Sequence, residues 1–190
     1  MDKTRQYATS LDGIRADHVK RYKLASVVLR GRKVLDLACG CGYGSKFLQD
    51  SGFEVTGMDV SKEALDWAKE HFPGPEYVQM DATDPHLKMF EWDSCISFET
   101  IEHLKDPSKF LCNLDVRELI CSVPNQDRYP FDPEKFKHDD YPHQRHYTPR
   151  EFESLLYDCG FLVRDKWCQK DKNGDIENGS DGMFMIYLCE

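Results

Sequence analysis

The sequence contains no apolar run that approaches the roughly 18 residues of a membrane-spanning helix. Its opening residues, MDKTRQYATSLDG, lack the apolar core of a signal peptide, and its eight cysteines lack the repeated Cys-x-x-Cys spacing of zinc ligands. Positive charge is also scarce, because 25 lysines and arginines stand against 34 aspartates and glutamates, a net charge of −9. We therefore expect a cytosolic protein with reduced cysteines, no membrane insertion and little affinity for nucleic acid.

The chain is long enough for one domain around one core, and we expect residues 1–190 to form it. Short apolar runs alternate with helix-like stretches in its first two thirds: KVLDLA, FEVTGM, EYVQM, DSCISF and ELICSV. This alternation predicts an α/β fold with a mostly parallel sheet and helices on both faces. Two later runs, FLVRDKWCQ and MFMIYLC, should pair antiparallel because the loop between them is short for a parallel crossover.

Glycines follow the first predicted strand in VLDLACGCGYGS, where they allow a sharp turn close to a ligand. They do not match the dinucleotide fingerprint G-x-G-x-x-G, since counting from Gly40 its third glycine would fall at Ser45. Asp36, at the end of the strand, would repel a pyrophosphate but attract an ammonium group. These residues argue against NAD and favour a cofactor with an amino-acid end.

Two more acids end the next two predicted strands. Asp59 is placed to accept hydrogen bonds from ribose hydroxyls, and Asp81 could accept one from an adenine amino group. A single aspartate at such a position usually caps a helix or a turn. Three acids on successive strands around a glycine loop favour a nucleoside pocket instead.

The stretch FETIEHL, residues 98–104, follows the fourth predicted strand and should face the reactive end of that pocket. If it is helical, Glu99, Glu102 and His103 share one face. Two adjacent carboxylates repel unless something positive lies between them, and carboxylates with an imidazole suit Mg²⁺ or Mn²⁺, with Fe²⁺ or Zn²⁺ also open. The alternative is that Glu102 and His103 are a solvated pair and a capping histidine that bind no metal.

Residues 124–147 show no periodicity but are rich in aromatic residues and histidines, which favours a substrate loop. Thr148-Pro149-Arg150-Glu151, directly after it, has the form of a helix capping box. We expect the fourth metal ligand from this loop and prefer His143 to His138 or His146. Without a metal, His143 or His103 would be the general base.

The glycine motif, Asp59, FETIEHL and the SVPN after the fifth strand together resemble the class I S-adenosylmethionine-dependent methyltransferases over residues 15–165. The motif departs from D-x-G-x-G in having Ala38 at the first glycine. The resemblance implies a Rossmann-like seven-stranded sheet, order 3-2-1-4-5-7-6, with strand 7 antiparallel. It also implies contacts with S-adenosylmethionine from ten residues: Asp36, Ala38, Cys39, Gly40, Gly42, Asp59, Val60, Asp81, Ala82 and Phe98.

By the same resemblance, residues 1–30 would form a helical lid whose Arg21 and Tyr22 close over the cofactor. The alternative for these two side chains is surface charge and core packing.

Two subfamilies share a Glu-x-x-Glu-His followed by a later histidine: the ubiquinone-biosynthesis O-methyltransferases and the small-RNA 3′-terminal 2′-O-methyltransferases. The main hypothesis is therefore O-methylation of a small molecule or glycan, with or without Mg²⁺ or Mn²⁺. Methylation of an RNA terminus is the second hypothesis, against which the acidic composition counts. A catalytically silent cofactor-binding module is the third, and the sequence leaves the acceptor and the oligomeric state open.

Overall fold

The computed structural model describes residues 5–190, so the first four residues of the expected lid lie outside the described part. Eight strands form its sheet: β1 Lys33–Leu37, β2 Glu54–Asp59, β3 Glu76–Gln79, β4 Ser94–Phe98, β5 Glu118–Pro124, β6 Val163–Gln169, β7 Ile176–Asn178 and β8 Phe184–Cys189. Their order across the sheet is β3-β2-β1-β4-β5-β8-β6-β7. Strands β1 to β5 pair in parallel, whereas β8 runs antiparallel to both β5 and β6.

The predicted α/β fold is confirmed, including the strand order and the antiparallel last strand. Strand β7 was not predicted and extends the sheet beyond β6. Its sequence lies inside the polar stretch KDKNGDIENGSDG, which has no apolar alternation to indicate a strand.

Six α-helices accompany the sheet within residues 5–190: α1 Ala16–Val28, α2 Tyr43–Asp50, α3 Lys62–His71, α4 Pro107–Leu111, α5 Pro133–Phe136 and α6 Pro149–Asp158. They cover both faces, because alternate residues of β1 enter different cores. Val34 packs in a cluster with side chains of α1 and α2, and Leu35 in a cluster with side chains of α4 and α6. All residues of β5 and β8 are buried, as expected for strands covered on both sides.

The expected capping box starts α6: the Thr148 hydroxyl accepts from the Glu151 N–H, and the Glu151 carboxylate accepts from the Thr148 N–H. Just before it, an isolated bridge pairs Asn125 with Tyr147. The two ends of the 124–147 loop therefore meet beside the sheet, and the loop contains helix α5 rather than being structureless.

Cys112 and Cys159 are paired as a disulfide between the ends of α4 and α6, with 4.7 Å between their Cα atoms. The expectation that every cysteine is reduced is wrong for this pair, whose spacing in the sequence gave no sign of it. The six other cysteines are buried. No helix within residues 5–190 has the length and apolar character needed to cross a bilayer.

Candidate active site

A cavity of about 760 Å³ opens at the carboxyl ends of β1, β2 and β4. Ligands of open α/β sheets bind at this edge. The residues predicted to contact a cofactor line this cavity with two exceptions; those on its wall are Ala38, Cys39, Gly40, Asp59, Val60, Asp81, Ala82 and Phe98. The exceptions, Asp36 and Gly42, do not line it, so their contact with a cofactor stays a prediction.

The three glycines of the loop have different physical roles. Gly40 has a φ of +54°, and a Cβ there would meet nothing within 4 Å, so this position leaves room for a ligand. At Gly42 a Cβ would lie 2.5 Å from the Cβ of Ala68, and at Gly44 it would lie 1.9 Å from the ring of Tyr22. Gly42 and Gly44 are therefore required for packing.

Ala38 occupies the glycine position of the motif with a φ of +58°, in the left-handed region that costs a residue with a Cβ about 1–2 kcal/mol. The turn thus has the left-handed backbone that the glycine of the motif would adopt, although the residue is alanine. The backbone strain lies next to the cavity, where strained residues commonly serve a binding site.

Asp36 is buried and accepts hydrogen bonds from the Tyr22 hydroxyl at 2.9 Å and from the Ser45 hydroxyl at 2.6 Å. Burial raises its pKa to about 7, the two hydrogen bonds oppose that shift, and nearby Asp59 adds to it. Tyr22 itself lines the cavity. Helix α1 thereby fixes the acid at the end of β1.

Asp59 is held in place by the backbone around it. Its Oδ2 accepts from the Gly40 N–H at 2.9 Å and its Oδ1 from the Ser61 N–H at 2.8 Å. The Arg5 guanidinium also donates to Oδ1 at 2.8 Å and lies over the ring of Tyr141, 4.7 Å from its centroid. A fixed acceptor-only group at the tip of β2 suits ribose hydroxyls, which would share this carboxylate with Arg5.

Asp81 is exposed and accepts from both the N–H and the hydroxyl of Thr83, each at 2.7 Å through Oδ1. This is a turn-forming role of the kind expected for a single aspartate. Its place on the cavity wall leaves a role toward adenine as a prediction.

FETIEHL does not form an α-helical turn, so the expectation that Glu99, Glu102 and His103 share one helical face is wrong. Glu99 has a φ of +51°, and its N–H bonds to the carbonyl of Ser122 on β5 at 3.1 Å. The chain therefore leaves the sheet through a left-handed residue. It then forms a short 3₁₀ turn, Ile101–His103, before α4 begins.

Glu99 is paired with Arg21. Its Oε1 lies 3.2 Å from Nη1 of Arg21 and accepts from the Ser122 hydroxyl at 2.8 Å. Arg21 is fully buried, pairs with Asp17 at 3.3 Å and donates through Nε to Gln169 at 2.7 Å. Arg21 is thus neither surface charge nor part of the cavity wall: it is the positive group beside Glu99.

Three possible metal ligands do converge at the edge of the cavity. Atoms of Glu102, His103 and His143 all lie within 4.8 Å of one another. Glu99 is not part of this group, so its predicted role as a fourth ligand stays a prediction. Of the alternative histidines, His138 is exposed, and His146 lies behind His143, with its Nε2 2.9 Å from Nδ1 of His143.

Carbonyl acceptors determine which ring nitrogens of these histidines carry protons. Nδ1 of His146 lies 2.6 Å from the carbonyl of Tyr129 and must donate to it, so its Nε2 accepts from Nδ1–H of His143. Nδ1 of His103 likewise donates to the carbonyl of Tyr141 at 2.7 Å. In both His103 and His143 the remaining nitrogen, Nε2, therefore keeps its lone pair. Hydrogen bonds of this kind orient imidazoles that bind metals.

Burial lowers the pKa of His143 to about 3 and also lowers the pKa of His103. Both rings are therefore neutral at pH 7, as metal ligands must be. A pKa lowered this far is poorly matched to accepting a proton near neutrality, which favours a ligand over a general base at this position.

Glu102 is fully buried, and neither of its carboxylate oxygens has a hydrogen-bond partner among residues 5–190. Burial raises its pKa well above the usual value, and the charge of Glu99 adds to this shift. A buried carboxylate without partners is costly unless it is protonated or binds a cation. With two imidazole lone pairs next to it, the residues present fit a divalent metal ion.

Sequence reasoning missed several residues that line the cavity, notably Arg15, His18 and Lys172. For His18 a signal existed: it lies four residues before Tyr22 and so on the same face of α1. Arg15 and Lys172 lie in polar stretches that gave no signal.

A family model described as a methyltransferase domain matches residues 35–115. A probable S-adenosylmethionine-dependent methyltransferase of Mycobacterium tuberculosis is 30% identical over 136 residues, which are 69% of this chain and 49% of that protein. The ubiquinone biosynthesis O-methyltransferase of Proteus mirabilis is 36% identical over 89 residues, 44% of this chain and 36% of its own. The chain thus spans about half the length of the mycobacterial relative.

Among solved structures, an S-adenosylmethionine-dependent methyltransferase of Thermotoga maritima superposes with a TM-score of 0.72 at 17% identity, covering 90% of this chain and 88% of that one. At this identity the likeness concerns the fold. Residues 35–115 thus belong to a methyltransferase domain family, and the named relatives to which the chain is similar are S-adenosylmethionine-dependent methyltransferases.

Proposed function

We propose that this chain transfers the methyl group of S-adenosylmethionine to a hydroxyl group of a small molecule or glycan, with Mg²⁺ or Mn²⁺ bound next to the acceptor. The observation that carries this proposal is the convergence of Glu102, His103 and His143 at the cavity. The similarity to a ubiquinone biosynthesis O-methyltransferase supports a small hydroxyl-bearing acceptor.

The cavity offers the cofactor two distinct ends. Asp59 and Val60 line it at the tip of β2, where the nucleoside would bind. Phe98, the last residue of β4, and His103, in the turn that follows, line the other end. A methyl donor held between these ends would present its sulfonium methyl toward the histidines. Methyl transfer is an in-line displacement, so most of the catalytic effect that the protein supplies is positioning.

Glu102, His103 and His143 would hold the metal ion through one carboxylate and two Nε2 lone pairs. A divalent ion, when bound, lowers the pKa of an acceptor hydroxyl and orients it. The loop that contributes His143 is fastened to the 3₁₀ turn, because the Gln144 N–H donates to the carbonyl of Glu102 at 2.8 Å. The ligand set therefore depends on the folded loop.

Aromatic side chains of the same loop lie beside the His143 ligand and on the cavity wall. Phe136 stacks on the ring of His143 at 4.0 Å between centroids, and Tyr129, Phe136 and Tyr141 line the cavity. We propose that residues 124–147 cover the acceptor and that residues 5–30 cover the cofactor from the other side. Excluding water there would protect an ionised acceptor oxygen.

The test is release of S-adenosylhomocysteine with a panel of catechols, aliphatic vicinal diols and sugars, each with Mn²⁺ and with a chelator. We expect turnover of at least one hydroxyl acceptor and its loss in Glu102→Gln, while the exposed control Glu70→Gln stays active. Turnover that a chelator leaves unchanged would contradict the proposal that a metal ion assists the reaction. Binding of the cofactor without turnover of any acceptor would instead indicate a silent binding module.

Methylation of an RNA terminus stays a second hypothesis, because the same three ligands could hold an ion against a terminal diol. The net charge of −9 counts against it. Filter binding of a short RNA at low and high salt separates the two hypotheses, since phosphate contacts give a steep salt dependence. Tight, salt-sensitive binding together with methylation of that RNA would replace the small-molecule proposal.

A further inference from the structure

The proposed cofactor carries three kinds of polar group, and one of them still lacks a partner. Asp59 and Asp81 line the cavity and are expected to bind the nucleoside, and Asp36, which does not line it, is predicted from the sequence to attract the ammonium group. The α-carboxylate, however, needs a positively charged partner or hydrogen-bond donors to offset its loss of water. The inference below rests on the proposed function, because it concerns the same cofactor.

One corner of the cavity offers that charge. Arg15, His18 and Lys172 all line it, the first two around the start of α1 and the third from the loop between β6 and β7. These segments lie far apart in the sequence. Their meeting at one place on the cavity wall is a product of the fold.

Specific contacts hold the two segments together. Lys20, on α1, donates to the carbonyl of Asn173 at 2.8 Å and pairs with Asp175 at 2.8 Å. Gln169, at the end of β6, donates through Nε2 to the carbonyl of Asp17 at 3.2 Å. The loop that carries Lys172 is therefore fastened to α1 rather than free to swing away.

The same corner adjoins the glycine loop. Nδ1 of His18 lies 2.9 Å from the hydroxyl of Tyr43, the first residue of α2 after Gly42. One turn further along α1, Tyr22 donates to Asp36. The corner thus lies beside the acid that we expect to bind the ammonium group, as an α-carboxylate on the same carbon atom requires.

The charges at this corner are not equally available. Arg15 is already bonded to the Asp17 carboxylate through Nε at 3.1 Å and Nη2 at 2.6 Å. Lys172 makes no ion pair with any residue in the described part of the chain. Burial lowers the pKa of His18, and the charges of Arg21, Arg15 and Lys172 lower it further, so these cations act on one small region.

We propose that Lys172, supported by His18 and Arg15, forms the binding site for the α-carboxylate of the cofactor. Lys172 provides the ion pair. The imidazole ring of His18, fixed by its hydrogen bond to the Tyr43 hydroxyl, forms part of the wall of this site. Arg15 adds positive charge while it stays bonded to Asp17. The loop between β6 and β7 thereby takes part in cofactor binding, although it lies outside the part of the chain that resembles the family.

Calorimetric titration with S-adenosylmethionine and with its decarboxylated form tests this assignment, because the two ligands differ by the carboxylate alone. Lys172→Gln should weaken binding of S-adenosylmethionine about fivefold, and binding of the decarboxylated form should change less than twofold. The matched control is Lys170→Gln, which removes the same charge from a lysine near the same loop. Lys170 pairs with Glu177 at 2.7 Å and does not line the cavity.

A Lys172→Gln variant that binds S-adenosylmethionine as tightly as the parent chain would overturn the proposal. An equal loss of affinity for S-adenosylmethionine and for its decarboxylated form in this variant would also overturn it. If Lys170→Gln weakened the binding of S-adenosylmethionine as much as Lys172→Gln does, the effect would come from the general charge of the protein, and the proposed site would again be refuted. Failure of the unmodified chain to bind S-adenosylmethionine would refute the proposed function itself. That outcome is distinguishable because it appears without any substitution.

Discussion

Replacing Arg21 with methionine removes a buried positive charge that pairs with the buried Asp17 and the half-buried Glu99. Arg21 is fully buried, whereas the paired Asp17 and Glu99 are 0% and 16% exposed at their side chains. Methionine fills a similar volume but leaves Glu99 with the Ser122 hydroxyl as its one side-chain hydrogen-bond partner among residues 5–190, while Asp17 keeps Arg15. Loss of one partner of a buried pair costs about 3–5 kcal/mol. For a chain of this size, that loss lowers the melting temperature by about 6–20 °C.

The assay is a double-mutant cycle on the free energy of unfolding in urea, made of Arg21→Met, Glu99→Gln and the double variant. Glutamine can still accept the Ser122 hydrogen bond, so Glu99→Gln alone should cost about 1 kcal/mol. The double variant should lose less than the sum of the single changes, with a coupling of about 1–3 kcal/mol. Lys62→Met, which breaks the exposed Lys62–Asp66 pair, is the control and should change stability by less than about 0.5 kcal/mol.

The reasoning is refuted if Arg21→Met costs less than about 1 kcal/mol, which is the value of a solvated pair. A coupling near zero would show that Arg21 and Glu99 contribute independently. In that case Glu99 would be available to a metal ion after all.

Further predictions concern the loop and the ligands. Ala38→Gly should raise the free energy of unfolding by about 0.5–1 kcal/mol in urea, since it removes a left-handed alanine at some cost in chain entropy, and a loss of stability would contradict the φ of +58°. Asp59→Ala should abolish binding of S-adenosylmethionine in calorimetry, and unchanged affinity would mean that the nucleoside binds elsewhere. Glu102→Gln should stabilise the metal-free protein at pH 7 yet remove the thermal stabilisation by millimolar Mn²⁺. Burial raises the folded pKa of Glu102 above its unfolded value, so the contribution of Glu102 to stability falls as the pH rises from the unfolded toward the folded pKa. The stability of the variant, measured from pH 4 to 8, should therefore depend less on pH than that of the parent chain.

The sheet could be predicted because its strands leave a strong pattern in the sequence. Strands buried on both faces, such as β5 and β8, appear as continuous apolar runs, and the order of runs and helices determines most of the topology. Asp59 could be predicted for a related reason, since the carboxyl end of a parallel strand is where ligands bind. Strand β7 could not, because it has three residues at the edge of the sheet, of which Ile176 alone is apolar.

The conformation of FETIEHL could not be predicted, because an α-helical turn and a 3₁₀ turn place residues at i and i+3 similarly. The difference lies in Glu99, whose left-handed backbone is stabilised by bonds to Ser122 on a neighbouring strand. The proton positions on His103 and His143 depend in turn on backbone carbonyls of Tyr141 and Tyr129. Such contacts form only in the folded chain and have no local signature.

The two glutamates of FETIEHL show why the tertiary contacts matter for the chemistry. From the sequence alone they are equivalent carboxylates that need a cation between them, but Arg21 neutralises Glu99 and leaves Glu102 with two neutral imidazoles. A divalent ion bound by Glu102, His103 and His143 would keep one positive charge in excess, and an ionised acceptor hydroxyl would cancel it. With Glu99 as a further ligand, the ion and its two carboxylates would together carry no net charge, so an ionised acceptor would gain less from binding there. We infer that the ion pair with Arg21 favours binding of the acceptor in its ionised, nucleophilic form.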